Sequence, residues 1–298
     1  MTESTATTDD ALRMVQLQLE ARRLAGLGQR LGLFRGGGRH VSTNYLVHCA
    51  LGELFQEHAP KPFAVQTGAQ KRNGANGSAN GRAVRVIGYT SPTADRRKRY
   101  SDERGEDDWF KNALHERAKL SAPPAVYDGC DWDALATKEM PQTFPDGLRL
   151  RFELRACPVV RKSSAGEGEN RAGKSRTWHA GQELDAFLAE AWTSERDDEL
   201  DRETVYRRWL TRQFDQRGGA TVEPDDISME RFSIERMTRR SHGDNGEADR
   251  PVHTVKKPDV TLTGTLTVTD GAAFTDLLRS GIGRHKSFGY GMLKVRRA

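Results

Sequence analysis

One stretch of the sequence reads Gly281-Ile282-Gly283-Arg284-His285-Lys286-Ser287-Phe288-Gly289-Tyr290-Gly291-Met292-Leu293. Four glycines within eleven residues enclose two cations and a titratable imidazole. Glycine lets a backbone take positive φ and approach a ligand with no Cβ in the way. Backbone N–H groups and the side chains of Arg284, His285 and Lys286 would then meet phosphate oxygens. Two familiar phosphate loops are excluded by spacing. A G-x-G-x-x-G pattern starting at Gly281 needs glycine where Lys286 stands, and a P-loop needs glycine where His285 stands, with a strand before it. A plainer alternative stays open, a helix C-cap followed by a tight hairpin. Arg296 and Arg297, just beyond, favour the phosphate reading.

His48 is the second candidate. Ser42, Thr43 and Asn44 offer N-caps for a helix predicted from about Tyr45 to His58. At about 100° per residue, Val47, Ala50, Leu51, Leu54 and Phe55 form one apolar stripe. His48 falls at its edge, and Tyr45 lies one turn earlier. Gly52 occupies the sector between them. Glycine inside a helix costs about 1 kcal/mol against alanine, and the bare patch it leaves would let a ligand backbone come close. The alternative is that Gly52 accommodates a packed neighbour and His48 is a boundary residue. Imidazole titrates near pH 6.5 and can take either proton role. No metal or other cofactor is expected. His48 and His58 lie about 80° apart around the helix, and there is no H-E-x-x-H among eight scattered histidines. His40 is read as a loop residue.

These two stretches carry a resemblance. The tail fits G-[IV]-G-x-x-K-[AS]-[FYM]-G-x-G-[LM]-L almost without a gap from Gly281 to Leu293. It looks like the signature of the CasE type of CRISPR repeat-processing endoribonucleases, which belong to type I-E systems and to the repeat-associated mysterious protein superfamily. Tyr290 stands where these proteins often carry cysteine. The segment Tyr45-x-x-His48, the run Ala50-Leu51-x-x-Leu54-Phe55 and the entry Lys61-Pro62-Phe63 are similar to the family's first helix and next strand. The match touches both halves and leaves the middle poorly covered. Insertions at 68–81 and 94–108 depart from compact members. The resemblance implies a catalytic histidine at His48 and an assisting tyrosine at Tyr45. It also implies a metal-independent cut of precursor CRISPR RNA within its repeat hairpin. The products would be a 2′,3′-cyclic phosphate and a 5′-hydroxyl. The enzyme would stay on the hairpin as a subunit of a surveillance complex, with other Cascade subunits as partners.

The chemistry sets its own requirements. A 2′-hydroxyl that attacks the adjacent phosphorus needs a base. The 5′-oxygen needs a proton, and the crowded phosphate needs positive charge. Acid–base help is typically worth about 10² to 10⁴ in rate. Preorganised donors stabilise the developing charge. An imidazole from the first half and the cationic turn of the tail are therefore expected to converge on one ribose–phosphate linkage. In the family, a basic surface of the second half grips the hairpin. Arg161, Lys162, Lys174 and Arg176, which flank a polar loop at 163–174, are the candidates here, together with Gly281, Gly283, Arg284, His285, Lys286, Gly289 and Gly291. Further basic sets are Arg149, Arg151 and Arg155, then Arg236, Arg239 and Arg240. Arg96-Arg97-Lys98-Arg99 is followed by acidic residues and gets no role. The five tryptophans read as packing residues. A noncatalytic RNA-binding or structural subunit of the same complex is the alternative function.

Positioning these groups takes a fold. The chain has 298 residues, a formal net charge of +5, and three cysteines without a C-x-x-C. This length suits two domains, and the charge favours polyanion partners. Cysteine usage fits reduced thiols in a cytoplasmic protein. No signal-peptide pattern or membrane span is read. Residues 1–11 read as a disordered tail. A strand at Val15–Leu19, the helix at Tyr45, a strand at Phe63–Gln66, a strand at Val84–Ile87 and a helix at Trp109–Leu120 form the first set, at 12–146. A half-buried strand from Leu148 opens the second, at 147–298. Helices near Glu183–Trp192 and Arg202–Arg217 follow, then strands at Ile227–Met237 and Asp259–Val268. A helix capped by Asp270 and a last strand at Met292–Val295 close it. Loops at 68–81 and 241–249 read as mobile. Each half then runs β-α-β-β-α-β, although the first half's last strand is poorly marked. That order gives an α+β fold of two tandem ferredoxin-like domains ending in the Gly-rich loop.

Overall fold

Strict alternation makes β1 (Arg13–Glu20), in which Val15, Leu17 and Leu19 are at most 2% exposed. The computed structural model describes residues 11–34, 41–66, 83–91, 109–169, 173–192, 200–240 and 252–298. The expected loops at 68–81 and 241–249, the insertion at 94–108 and His40 lie outside them. After β1 come α1 (Ala21–Arg30), α2 (Thr43–Phe55), β2 (Phe63–Gln66), β3 (Ala83–Thr90), α3 (Trp109–Ser121), α4 (Pro124–Tyr127) and β4 (Cys130–Glu139). Their sheet has the order β2-β3-β1-β4, with every neighbouring pair antiparallel. This is the ferredoxin-like order. Helices α2 and α3 bury Val47, Leu51, Leu54, Phe110 and Leu114 against β1 in one core.

Helix α1 was not expected. The segment carries Gly26 and Gly28, and Glu20 makes no side-chain cap. Gly28 is instead a packing position, since a Cβ there would come within 2.7 Å of the Phe34 ring.

The second set runs β5 (Arg149–Ala156), β6 (Val159–Arg161), β7 (Gly166–Glu169), β8 (Ser175–Trp178), β9 (Glu183–Asp185), α5 (Ala186–Ala191), α6 (Arg202–Arg217), β10 (Ala220–Thr221), β11 (Ile227–Arg240), β12 (Val252–Val268), α7 (Gly271–Ser280) and β13 (Leu293–Arg297). Its sheet order is β10-β12-β5-β13, with β11 also pairing β12. The ferredoxin-like arrangement recurs. Leu150, Phe152 and Leu154 point inward with Leu262, Leu266, Phe214 and Phe274, all at most 5% exposed. Asp270 caps α7 by accepting from the Ala273 N–H at 2.8 Å.

Two expectations need correction. The polar loop at 163–174 contains β7, which pairs with β8. Its glycines make room for the Trp178 ring, which lies 3.0 Å from a Cβ built on Gly166. The helix expected from Glu183 starts only at Ala186. Residues 183–185 pair with β6 instead, and Asp185 caps the helix through the Phe187 N–H at 2.9 Å.

The chain forms two compact units. One takes in Met1–Gln142, Arg236–Val255 and Ser287–Gly289, and the other Thr143–Glu235, Lys256–Lys286 and Tyr290–Ala298. All three cysteines are free. Among the described residues, no helix is long and apolar enough to cross a membrane.

Candidate active site and nucleic-acid interface

Helix α2 buries its apolar stripe completely: Val47, Ala50, Leu51, Leu54 and Phe55 are at most 1% exposed. His48 is left half-buried at the edge. The Tyr45 ring lies beside it, with centroids 6.0 Å apart. Tyr45 also stacks on Phe288 of the tail, at 5.0 Å and 18° between planes. Tyr45 thus contacts both the other rings within the first unit. Gly52 opens on free space, as a Cβ there would meet nothing within 4 Å. Burial lowers the pKa of His48 below its ordinary 6.5, and the Lys61 ammonium lowers it further. Near neutral pH the imidazole is therefore uncharged, with one ring nitrogen able to accept a proton. Lys61 entered the sequence reading only as a strand entry. It places positive charge where it acts on His48, an effect that residue spacing does not reveal.

Gly289 lets the tail reach α2. Its φ is +73°, and a Cβ would sit 3.0 Å from the Asn44 side-chain oxygen. The other tail glycines have local work. Gly281 ends α7 with φ +68°, and its N–H donates to the Leu277 carbonyl at 2.8 Å. The Gly291 N–H donates to the Arg155 carbonyl, also at 2.8 Å. These two amides are engaged within the protein and do not face a ligand. Gly283 makes room for the Trp209 ring, 3.1 Å from its Cβ position.

The cations of the tail meet a residue that sequence reasoning missed. Glu183 accepts from Arg284 Nε at 2.6 Å, lies 2.7 Å from His285 Nε2, and accepts from Lys257 Nζ at 2.8 Å. Hydrogen bonding to His285, and then to Lys257, holds its carboxyl far below the usual range despite partial burial. His285 sits at φ +61°. Glu183 and His285 are 102 residues apart, so no local pattern could have paired them. Glu183→Ala is expected to lower stability at pH 7 by about 1–3 kcal/mol, because Lys257 and the tail lose their acceptor. The folded pKa lies below the unfolded one, so this stabilisation is present above pH 4.5 and fades on acidification. Urea unfolding of both proteins checks it, and their difference should shrink below that pH.

Of the other basic candidates, Arg155, Arg161, Lys162, Lys174 and Arg176 belong to the second unit. Arg161 stands opposite Glu183 in the β6–β9 register. The Lys162 ammonium lies 4.4 Å over the Trp178 ring. Lys174 is exposed and Arg176 half-buried, at the β7–β8 hairpin. Arg155 is not a surface cation as expected. Its guanidinium bonds Asp259 twice at 2.8 Å, pairs with Glu235, and stacks 4.5 Å from the Tyr290 ring. Tyr290 in turn donates to Glu235 at 3.2 Å, so the departure at this position has a structural partner set. Arg236 is exposed, while the side chains of Arg239 and Arg240 lie outside the described residues. Among the described residues, no three His, Cys, Asp or Glu side chains gather as metal ligands.

A family profile described as CRISPR associated protein matches residues 14–297. The chain belongs to that family. The resemblance read in the tail and first helix, to its CasE type, is borne out at this level. Among solved structures, the CRISPR endoribonuclease Cse3 bound to a 19-nucleotide RNA superposes with a TM-score of 0.50 at 17% identity. That alignment covers 95% of this chain and 99% of the other. At such identity the likeness speaks to fold alone. Thermus thermophilus Cse3, bound to an RNA representing a pre-cleavage complex, aligns at 16% identity with TM-score 0.48, over 96% and 99% of the two chains. Cas6e from Escherichia coli K-12 aligns at 18% with TM-score 0.43, over 96% and 100%. A search of curated proteins finds no match.

Proposed function

We propose that this protein is a metal-independent endoribonuclease that cuts CRISPR repeat RNA within its hairpin by 2′-hydroxyl attack. The observation that carries the reading is the pair of ring contacts that Tyr45 makes, with Phe288 and with His48, which puts the tip of the Gly-rich tail on the helix that bears the imidazole. Family membership and a fold shared with an RNA-bound endoribonuclease support it.

In this reading His48, held neutral by burial and Lys61, takes the proton from the 2′-hydroxyl. The oxygen attacks the neighbouring phosphorus, the bond from phosphorus to the 5′-oxygen breaks, and that oxygen takes a proton from the imidazolium formed at His48 or from water. Tyr45 orients the nucleophile or the phosphate. Lys61 offsets charge near His48, and Arg284, His285 and Lys286 of the tail bind RNA phosphates. Gly283 and Gly289 serve by letting the tail take its course. Arg161, Lys162, Lys174 and Arg176 grip the hairpin, which is read through shape and phosphates. The product stays bound, and the protein acts as a subunit of a Cascade surveillance complex.

Incubation of the purified chain with its repeat RNA in EDTA tests this. The expected result is one cut, with a 2′,3′-cyclic phosphate on one fragment and a 5′-hydroxyl on the other. Tight binding without any cut would assign the chain to a noncatalytic RNA-binding role.

A further inference from the structure

The outer face of the second unit's sheet carries a row of polar side chains. Along β12, Thr261, Thr263, Thr265 and Thr267 alternate with the inward Leu262 and Leu266, which are at most 1% exposed. The register sets Arg296 of β13 opposite Arg151 of β5, and Arg151 opposite Thr265 of β12. Both arginines are exposed, and with Thr263, Thr265 and Lys294 they line a surface depression. Like charges directly opposite one another destabilise a sheet. Among the described residues, neither guanidinium has an ion-pair partner. The carboxylates nearby are engaged: Glu153 pairs with Lys294, and Glu230 accepts from Thr263 Oγ1 at 2.8 Å. Two adjacent arginines with hydroxyls beside them make an arrangement that an anion completes.

The chemistry of the face selects the anion. The depression is lined by arginine, lysine and threonine with two carboxylates, Glu153 and Glu230, and its apolar neighbours are Val295 and Phe152, the latter only 4% exposed. Protein partners are held mainly by buried aromatic and arginine anchors seated in pockets. Unpaired bases are held by stacking on aromatic rings. With its one aromatic ring buried, what the face offers is guanidinium and hydroxyl contacts to phosphate oxygens. We propose that this sheet face is a separate phosphate-binding surface, centred on Arg151 and Arg296, that takes the sugar–phosphate backbone of RNA outside the cleaved linkage. The inference rests on the reading of the chain as an RNA-binding protein.

The test uses the full chain, the repeat RNA with its single-stranded flanks, and the double variant Arg151→Ala/Arg296→Ala. Affinity is measured across a salt series. The expected slope of log affinity against log salt is shallower by about 2, about 1 per lost phosphate contact. The affinity at moderate salt should fall about tenfold. Arg296→Ala alone should leave the thermal midpoint unchanged or higher, since it relieves a like-charge contact. A double variant with wild-type affinity and slope overturns this proposal and leaves the endoribonuclease reading in place. Wild-type protein that binds no RNA sinks both. Unchanged RNA binding with lost assembly into a larger complex would assign the face to an acidic protein, and also overturns the proposal.

Discussion

His48→Ala is expected to lower the single-turnover rate of repeat-RNA cleavage by about 10²- to 10⁴-fold, the usual worth of a positioned proton acceptor. Hairpin affinity should change little, because His48 sits half-buried at the helix edge while the binding cations lie elsewhere. The apolar stripe of α2 remains intact in the variant, so folding is not the cause of the loss. The pH profile gives a second readout. Burial, and then Lys61, lower the pKa of His48 below 6.5. As a base it works in the neutral form, so the wild-type rate should rise with pH to a plateau, with its midpoint below that of an ordinary imidazole. Lys61→Ala should move the midpoint upward, with the remaining depression due to burial. A rate that falls steadily from pH 6 to 8 would contradict the base role. The same shift bears on stability. The unfolded chain binds the proton more readily, so the contribution of neutral His48 is full above 6.5 and declines as pH falls.

The largest stability effect is expected at Asp259. This carboxylate is 2% exposed and accepts from Arg155 twice and from Arg231 at 3.1 Å. Removing one partner of a buried pair leaves the other charge uncompensated, which typically costs about 3–5 kcal/mol. Glu235 still neutralises Arg155 in part, so Asp259→Ala belongs near about 3 kcal/mol. Asp259→Asn keeps the shape and should lose less. The damage should also reach the tail, because Arg155 stacks on Tyr290 and its carbonyl holds the Gly291 N–H. Urea unfolding checks the first point, and hydrogen exchange at Gly291 the second. A loss below about 1 kcal/mol would mean that the pair is not charged or not needed.

What was legible in the sequence follows one physical line. Val15, Leu17 and Leu19, the stripe from Val47 to Phe55, and Leu150, Phe152 and Leu154 announce their elements, because the period of burial matches the period of the structure. The tail was legible through its glycines, of which Gly289 is required for the approach to α2. The misses are long-range. Gly28, Gly166 and Gly168 look like breakers and are instead packing positions under Phe34, Trp178 and the Trp192 carbonyl. Strand β9 is three residues long and takes its conformation from β6. Glu183 and Asp259 act through partners many residues away, and the same holds for Arg155, whose place on an alternating strand suggested a solvent-facing cation.

The most direct test of the central claim places a single 2′-deoxy nucleotide at the cut site of the repeat RNA. With its attacking hydroxyl gone, this substrate should bind as tightly as the all-ribose RNA and stay intact in the presence of EDTA. Cleavage of the deoxy substrate would show that the nucleophile is not the 2′-oxygen and would end the proposed mechanism.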